Sequence, residues 1–137
     1  MDDLSAVQEI KDLYDNLFDS ALKFRRNQDK IISDRVKVLL DKYTRNEISL
    51  EELIVSYDDL NNELLNEYKE KSLKDSLIFR KIDSKMVYLS TKDRKEIKRY
   101  SKKISKAIKS LSGVNSDLKR LIRIVKKDML KGIKSGK

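Results

Sequence analysis

The chain has 137 residues, 40% of them charged, and it contains no cysteine, no histidine and no proline. The missing cysteines exclude disulfides and thiolate metal sites, and the missing histidines remove the commonest general base and many transition-metal ligands. No apolar run approaches the roughly 18 residues of a membrane span, and the acidic start "MDDLSAVQEI" is unlike a secretory signal or transit peptide. These features predict an intracellular, cytoplasmic protein that is not an enzyme and has no cofactor or metal.

The shortage of turn residues predicts an all-α protein. There is no proline, and the only three glycines all lie near the C-terminus, whereas all-β and α/β chains of this size need many turn residues. Apolar residues also recur at steps of three and four, as in amphipathic helices. We therefore predict a single domain over residues 1–137, a compact bundle of five or six helices without a sheet.

The first segment carries an apolar stripe from Leu4 to Phe24. The stripe blurs at "RRNQDK" and resumes from Ile32 to Tyr43. This pattern predicts either one long helix over residues 3–44 or two helices with a junction near residues 27–29.

A capping box marks the start of the second segment, because in "NEISLEELI" the side chains of Ser49 and Glu52 can each satisfy a backbone N–H. The apolar residues from Leu50 to Tyr68, called the Leu50–Tyr68 seam below, are suited to a partner helix and predict a homo- or hetero-oligomer contact. After a phase shift near residues 71–72, interpreted as a kink or short turn, the apolar pattern continues through Leu73, Leu77, Ile82, Met86 and Leu89.

The last third of the chain predicts two short helices and a frayed end. Ser90 or Thr91 is the expected N-cap of the first helix, and Gly113 is its expected C-terminal cap. A second helix follows the turn "GVNS", and residues 132–137 are expected to fray. The last third also differs from the rest of the chain in charge. Residues 1–89 have 15 basic and 19 acidic side chains, while residues 90–137 have 17 basic and 4 acidic ones.

The basic side chains of the last third fall opposite the apolar faces of both predicted helices. Ile97 and Arg99 are two residues apart, which is about 200° of rotation on a helix, so the two faces oppose each other. We call Lys92, Lys95, Arg99, Lys102, Lys106 and Lys109 the first ridge, and Arg120, Arg123 and Lys127 the second ridge.

Clustered cations of this kind predict binding to the phosphate backbone of nucleic acid, with the two ridges joined into one patch if the helices are antiparallel neighbours. Base-specific reading is not expected, since Tyr100 is the only aromatic residue in residues 90–137 and lies on the apolar face. The alternatives are an acidic protein partner and a merely solvated basic surface. Membrane binding is disfavoured because the apolar faces lack tryptophan and phenylalanine and are needed for the core.

The passage "LIFRKIDSKMVYLSTKDRKEIKRYSKKISKAI", residues 77–108, is similar to the helical domain of archaeal GINS subunits, accessory proteins of the replication helicase. In that family a basic–isoleucine helix end precedes a short loop and a Ser- or Thr-capped helix with early acidic residues. The resemblance covers about a quarter of the chain and implies a non-catalytic subunit that bridges helicase components. The chain departs from the family in its shortness, its strongly basic end and its lack of an evident small β-domain. The matching positions are Arg80, Lys81, Ile82, Ser90, Thr91 and Asp93.

Overall fold

The structure is a computed structural model that describes residues 3–111, 113 and 115–135, and the side chains of residues 5–111, 113 and 115–131. These residues form four α-helices and no strand: α1 (Asp3–Thr44), α2 (Leu50–Met86), α3 (Thr91–Leu111) and α4 (Ser116–Ser135). The all-α prediction is confirmed, whereas the predicted count of five or six helices is wrong. Within the described ranges, no helix has the length and apolar character needed to cross a membrane.

The count is lower because neither polar interruption breaks its helix. The segment "RRNQDK" contains no glycine or proline, so α1 passes through it as one helix. In α2, the phase shift falls where Lys71 and Asp75 occupy the inward-facing positions and form a salt bridge of 2.5 Å. A polar pair thus replaces apolar residues for one turn, and the backbone remains helical.

Local hydrogen bonds set the ends of α1 and α2. At the end of α1, Asn46 has a φ of 61°, and the N–H groups of Asn46 and Glu47 donate to the carbonyls of Tyr43 and Lys42 at 3.1 and 2.8 Å. This is a Schellman ending, in which asparagine takes the left-handed position that glycine usually fills. The capping box of α2 is confirmed, since the Glu52 N–H donates to Ser49 Oγ at 3.1 Å.

Side-chain caps also begin α3 and α4. The Asp93 N–H donates to Ser90 Oγ at 3.2 Å, so Ser90, and not Thr91, is the N-cap of α3. The Asp117 N–H donates to Asn115 Oδ1 at 2.8 Å at the start of α4. Gly113 lies in the turn between them with a φ of 151°, which favours glycine. Fraying of 132–137 stays a prediction: α4 extends to Ser135, and residues 136–137 lie outside the described residues.

The chain divides into two compact units, and both long helices contribute to each of them. Unit 1 comprises Met1–Arg25 and Glu67–Ser112, and unit 2 comprises Arg26–Asn66 and Gly113–Lys137. Helix α3 therefore belongs to unit 1 and α4 to unit 2. The prediction of a single domain over 1–137 stays a prediction.

Each unit has its own apolar core. In unit 1, Ile10 of α1 and Ile97 of α3 are almost completely buried, and Ile82 of α2 belongs to the same cluster. In unit 2, the corresponding central residues are Leu53 of α2 and Leu121 of α4. Full burial of one such side chain stabilises a fold by about 1.5–3 kcal/mol, so each of these side chains contributes substantially to the stability of its unit.

Only some of the apolar residues of α2 are buried in these cores. Leu53 and Leu60 of the Leu50–Tyr68 seam are buried inside unit 2, so this part of the seam packs within the chain, whereas Tyr68 at its end is 57% exposed. An oligomer contact through it stays a prediction. Leu73 and Leu77 differ from the expected stripe, because they are 69% and 58% exposed while Ile82 is buried. The phase shift rotates them onto the outer side of the helix.

Candidate nucleic-acid interface

The first ridge lies on the outer side of α3. Its six basic side chains are all exposed, whereas Ile97 and Ile104 on the other side of the helix are buried in unit 1. The opposition of faces expected from the sequence is confirmed. From Lys92 to Lys109 the ridge extends along about 25 Å of helix, at 1.5 Å per residue.

Few acidic groups are near enough to neutralise the first ridge. The acids of α3 are Asp93 in the first turn and Glu96, and Glu96 forms a salt bridge of 2.9 Å with Lys11 of α1. A hydrogen bond from Lys11, and then the charge of Lys11, lower the pKa of Glu96, with smaller contributions from Arg99 and Lys92. Among the described residues, no salt bridge involves any ridge side chain from residue 92 to residue 106.

A tyrosine on the inner face attaches α3 to α1. The hydroxyl of Tyr100 donates a hydrogen bond to Asp15, and Lys11 Nζ lies 5.5 Å from the centroid of the Tyr100 ring, within cation–π range. The sequence pattern placed Tyr100 on the apolar face. It did not predict the hydrogen bond to Asp15, because the two residues are 85 positions apart in the chain. Because ring and hydroxyl are both engaged in unit 1, Tyr100 is not placed to stack on a nucleobase.

The phenol of Tyr100 is expected to titrate far above its usual range. The hydrogen bond to Asp15, followed by burial and the nearby carboxylate charges, raises the pKa of Tyr100 to about 12. Because the pKa of Tyr100 is higher in the folded state than in the unfolded state, its hydrogen bond stabilises the fold fully below the unfolded pKa of about 10. This stabilisation disappears as the pH rises through about 12. The test is a pH titration of tyrosinate absorbance, taken as the difference between the wild-type chain and Tyr100→Phe. We expect this difference to show one midpoint near 12. Circular dichroism at each pH checks that the chain remains folded. A difference midpoint at the usual tyrosine value would contradict the hydrogen bond.

An open groove runs beside the first ridge, with a volume of about 530 Å³. Serine hydroxyls and lysine ammonium groups both donate hydrogen bonds, so the groove offers donors of two kinds to an anionic oxygen. The sequence pattern singled out the lysines and passed over the serines, because they do not follow its three-four steps. The groove is lined by Ser101, Lys102, Ser105, Lys106, Ile108 and Lys109.

The second ridge lies on α4, and its three basic side chains are exposed opposite Leu121 and Val125. Met129 does not share this apolar face: it lies eight residues after Leu121, a rotation of about 80°, and it is exposed. Asp128 faces inward and accepts a hydrogen bond of 2.6 Å from the Tyr43 hydroxyl. That bond, followed by burial, raises the pKa of Tyr43.

The two ridges lie on different units, the first on unit 1 and the second on unit 2. Their union into one patch stays a prediction. Beside the second ridge is another open groove, of about 580 Å³, which combines cationic with apolar side chains. It is lined by Lys119, Ile122, Arg123, Lys126, Lys127 and Leu130.

Sequence reasoning missed several exposed basic residues that flank the ridges. Arg94, Lys98 and Lys103 are exposed on α3, as are Lys119 and Lys126 on α4. The signal that could have found them is the near absence of acids, which makes almost the whole solvent side of each helix cationic. Within the described residues, no cluster of three or more carboxylates is arranged to hold a metal ion.

Comparisons with protein-family models, with curated proteins and with solved structures find no match to this chain. The resemblance of residues 77–108 to GINS subunits therefore stays a prediction based on the sequence.

Proposed function

We propose that the chain is a non-catalytic helical scaffold that contacts the backbone of nucleic acid through its basic ridges. The observation that carries this proposal is the first ridge, an exposed row of six cations on α3, a helix that contains only two acidic residues, Asp93 and Glu96. The family resemblance adds a replication complex as the kind of assembly in which such a subunit would serve.

The physical basis of the proposed binding is the release of counterions. Duplex DNA carries one negative charge per about 1.7 Å of its axis, so a ridge of about 25 Å spans many phosphates. Cations that neutralise those phosphates release condensed counterions, which gives affinity without base recognition. The engagement of Tyr100 with Asp15 supports this mode, because it leaves α3 without an aromatic side chain for stacking.

An acidic protein is the second candidate partner, and one feature of α4 favours it. The groove beside the second ridge places the apolar side chains of Ile122 and Leu130 next to Arg123 and Lys127, and Leu130 is 57% exposed. A surface with both apolar and cationic groups is suited to an acidic amphipathic helix. The function would then be that of a protein adaptor.

The salt dependence of binding tests the proposed function. If about five ridge cations contact phosphates, the slope of log affinity against log salt on duplex DNA is expected to be near −4.5. Affinity is expected to vary little with base sequence. Co-purification from the native host, with and without nuclease, provides the second arm of the test. A slope near zero, or partners fully retained after nuclease, would favour the acidic protein instead.

A further inference from the structure

The outer face of α2 in unit 1 carries two exposed leucines. Leu73 is 69% exposed and Leu77 is 58% exposed. Leu73 and the buried Ile82 are nine residues apart, a rotation of about 180°, so the leucines lie opposite the core-facing side of the helix. Two large apolar side chains on successive turns form a strip of the width found in coiled-coil seams.

Charged residues bracket this strip in a symmetric order. Glu70 lies one turn before Leu73, and Arg80 lies one turn after Leu77, so the four residues follow a three-four-three spacing. Both charged side chains are exposed, and neither forms a salt bridge within the described residues. Reversing the helix direction about Asp75 exchanges Leu73 with Leu77 and Glu70 with Arg80. The face is therefore complementary to a reversed copy of itself.

We propose that this face pairs with the same face of a second copy of the chain, with the two α2 helices antiparallel. Leu73 then packs against Leu77 of the second copy, and Glu70 faces Arg80 of the second copy. The two-fold symmetry makes each contact occur twice. A parallel pair would instead place glutamate against glutamate and arginine against arginine, so the charges select the antiparallel arrangement.

The flanking residues support this arrangement and also limit its strength. Lys69 and Asp83 are exposed on one side of the strip, and antiparallel pairing brings them together across the contact. Ser76, near the symmetry axis, is small enough to permit close approach of the helices. Lys74 lies near its own symmetry mate, which is a like-charge contact. A contact made by two leucines and their flanking charges buries less surface than a standard interface of about 1,600 Å². We therefore expect a weak dimer with a Kd on the order of tens of micromolar.

Two single charge reversals and their mixture test the proposal. Glu70→Arg creates two arginine–arginine contacts in the dimer, and Arg80→Glu creates two glutamate–glutamate contacts. Each variant alone is expected to dimerise at least about tenfold more weakly. An equimolar mixture of the two is expected to restore the dimer, because both charge contacts of the mixed pair are then attractive.

Sedimentation velocity on nuclease-treated protein, at concentrations reaching hundreds of micromolar, measures these effects. The matched control is Asp59→Arg, which makes the same charge change at an exposed position of α2 in unit 2; it is expected to leave the dimer unchanged. Circular dichroism checks that each variant keeps its helices. A wild-type chain that stays monomeric throughout, equal weakening by Asp59→Arg, or a mixture that fails to restore the dimer would each overturn the proposal.

Discussion

Replacing Ile10 by alanine is expected to lower the free energy of unfolding of unit 1 by about 2–5 kcal/mol. Ile10 is 0% exposed and lies among apolar residues from all three helical segments of unit 1. The substitution removes buried methyl groups and leaves a cavity that the neighbouring side chains fill only in part. Urea unfolding followed by circular dichroism measures the loss.

Leu121→Ala makes the corresponding change in unit 2, where Leu121 is also 0% exposed. Because the two cores contain different residues, we expect amide hydrogen exchange to become faster in α3 for Ile10→Ala and in α4 for Leu121→Ala. The control is Val55→Ala, at a position that is 60% exposed, and its effect is expected to stay within about 0.5 kcal/mol. Equal loss of protection in α3 and α4 for both core variants would show that the cores do not open separately.

Replacing Arg99, Lys102 and Lys106 together by glutamine is expected to weaken binding to duplex DNA by two to three orders of magnitude near 0.1 M salt, with a salt slope flatter by about 2.7. The reason is that each lost phosphate contact removes about 0.9 from the slope. Every DNA sequence should be affected alike, since phosphate contacts carry no base information.

The stability of this triple variant is expected to change little. The three side chains are exposed, and the opposite face of α3, with Ile97 and Ile104, is left intact. A matched variant with Lys23, Lys30 and Lys37 of α1 replaced by glutamine has the same net charge, and all three positions are exposed. If the α1 variant weakens binding as much as the ridge variant, net charge and not the ridge determines affinity. A folded ridge variant with an unchanged slope would show that the ridge is only solvated.

The features that the sequence alone determined are those with local causes. Helix content follows from three-four periodicity without proline, and the capping box at Ser49 and Glu52 involves residues only three apart. The opposition of the first ridge to Ile97 and Ile104 follows from helix geometry, because both sets lie within one helix. Each of these could be predicted without knowing what the helix packs against.

Only the tertiary structure decided which of several equivalent apolar residues are buried and what α3 and α4 pack against. Leu60 and Leu73 are equally apolar, but a neighbouring helix covers the first and leaves the second in solvent. The bond between Tyr100 and Asp15 joins residues 85 positions apart, and the assignment of α3 and α4 to different units depends on such distant contacts. Periodicity gives the rotation of a side chain about its own helix, whereas burial depends on which other segments pack there, and that is a property of the folded chain as a whole.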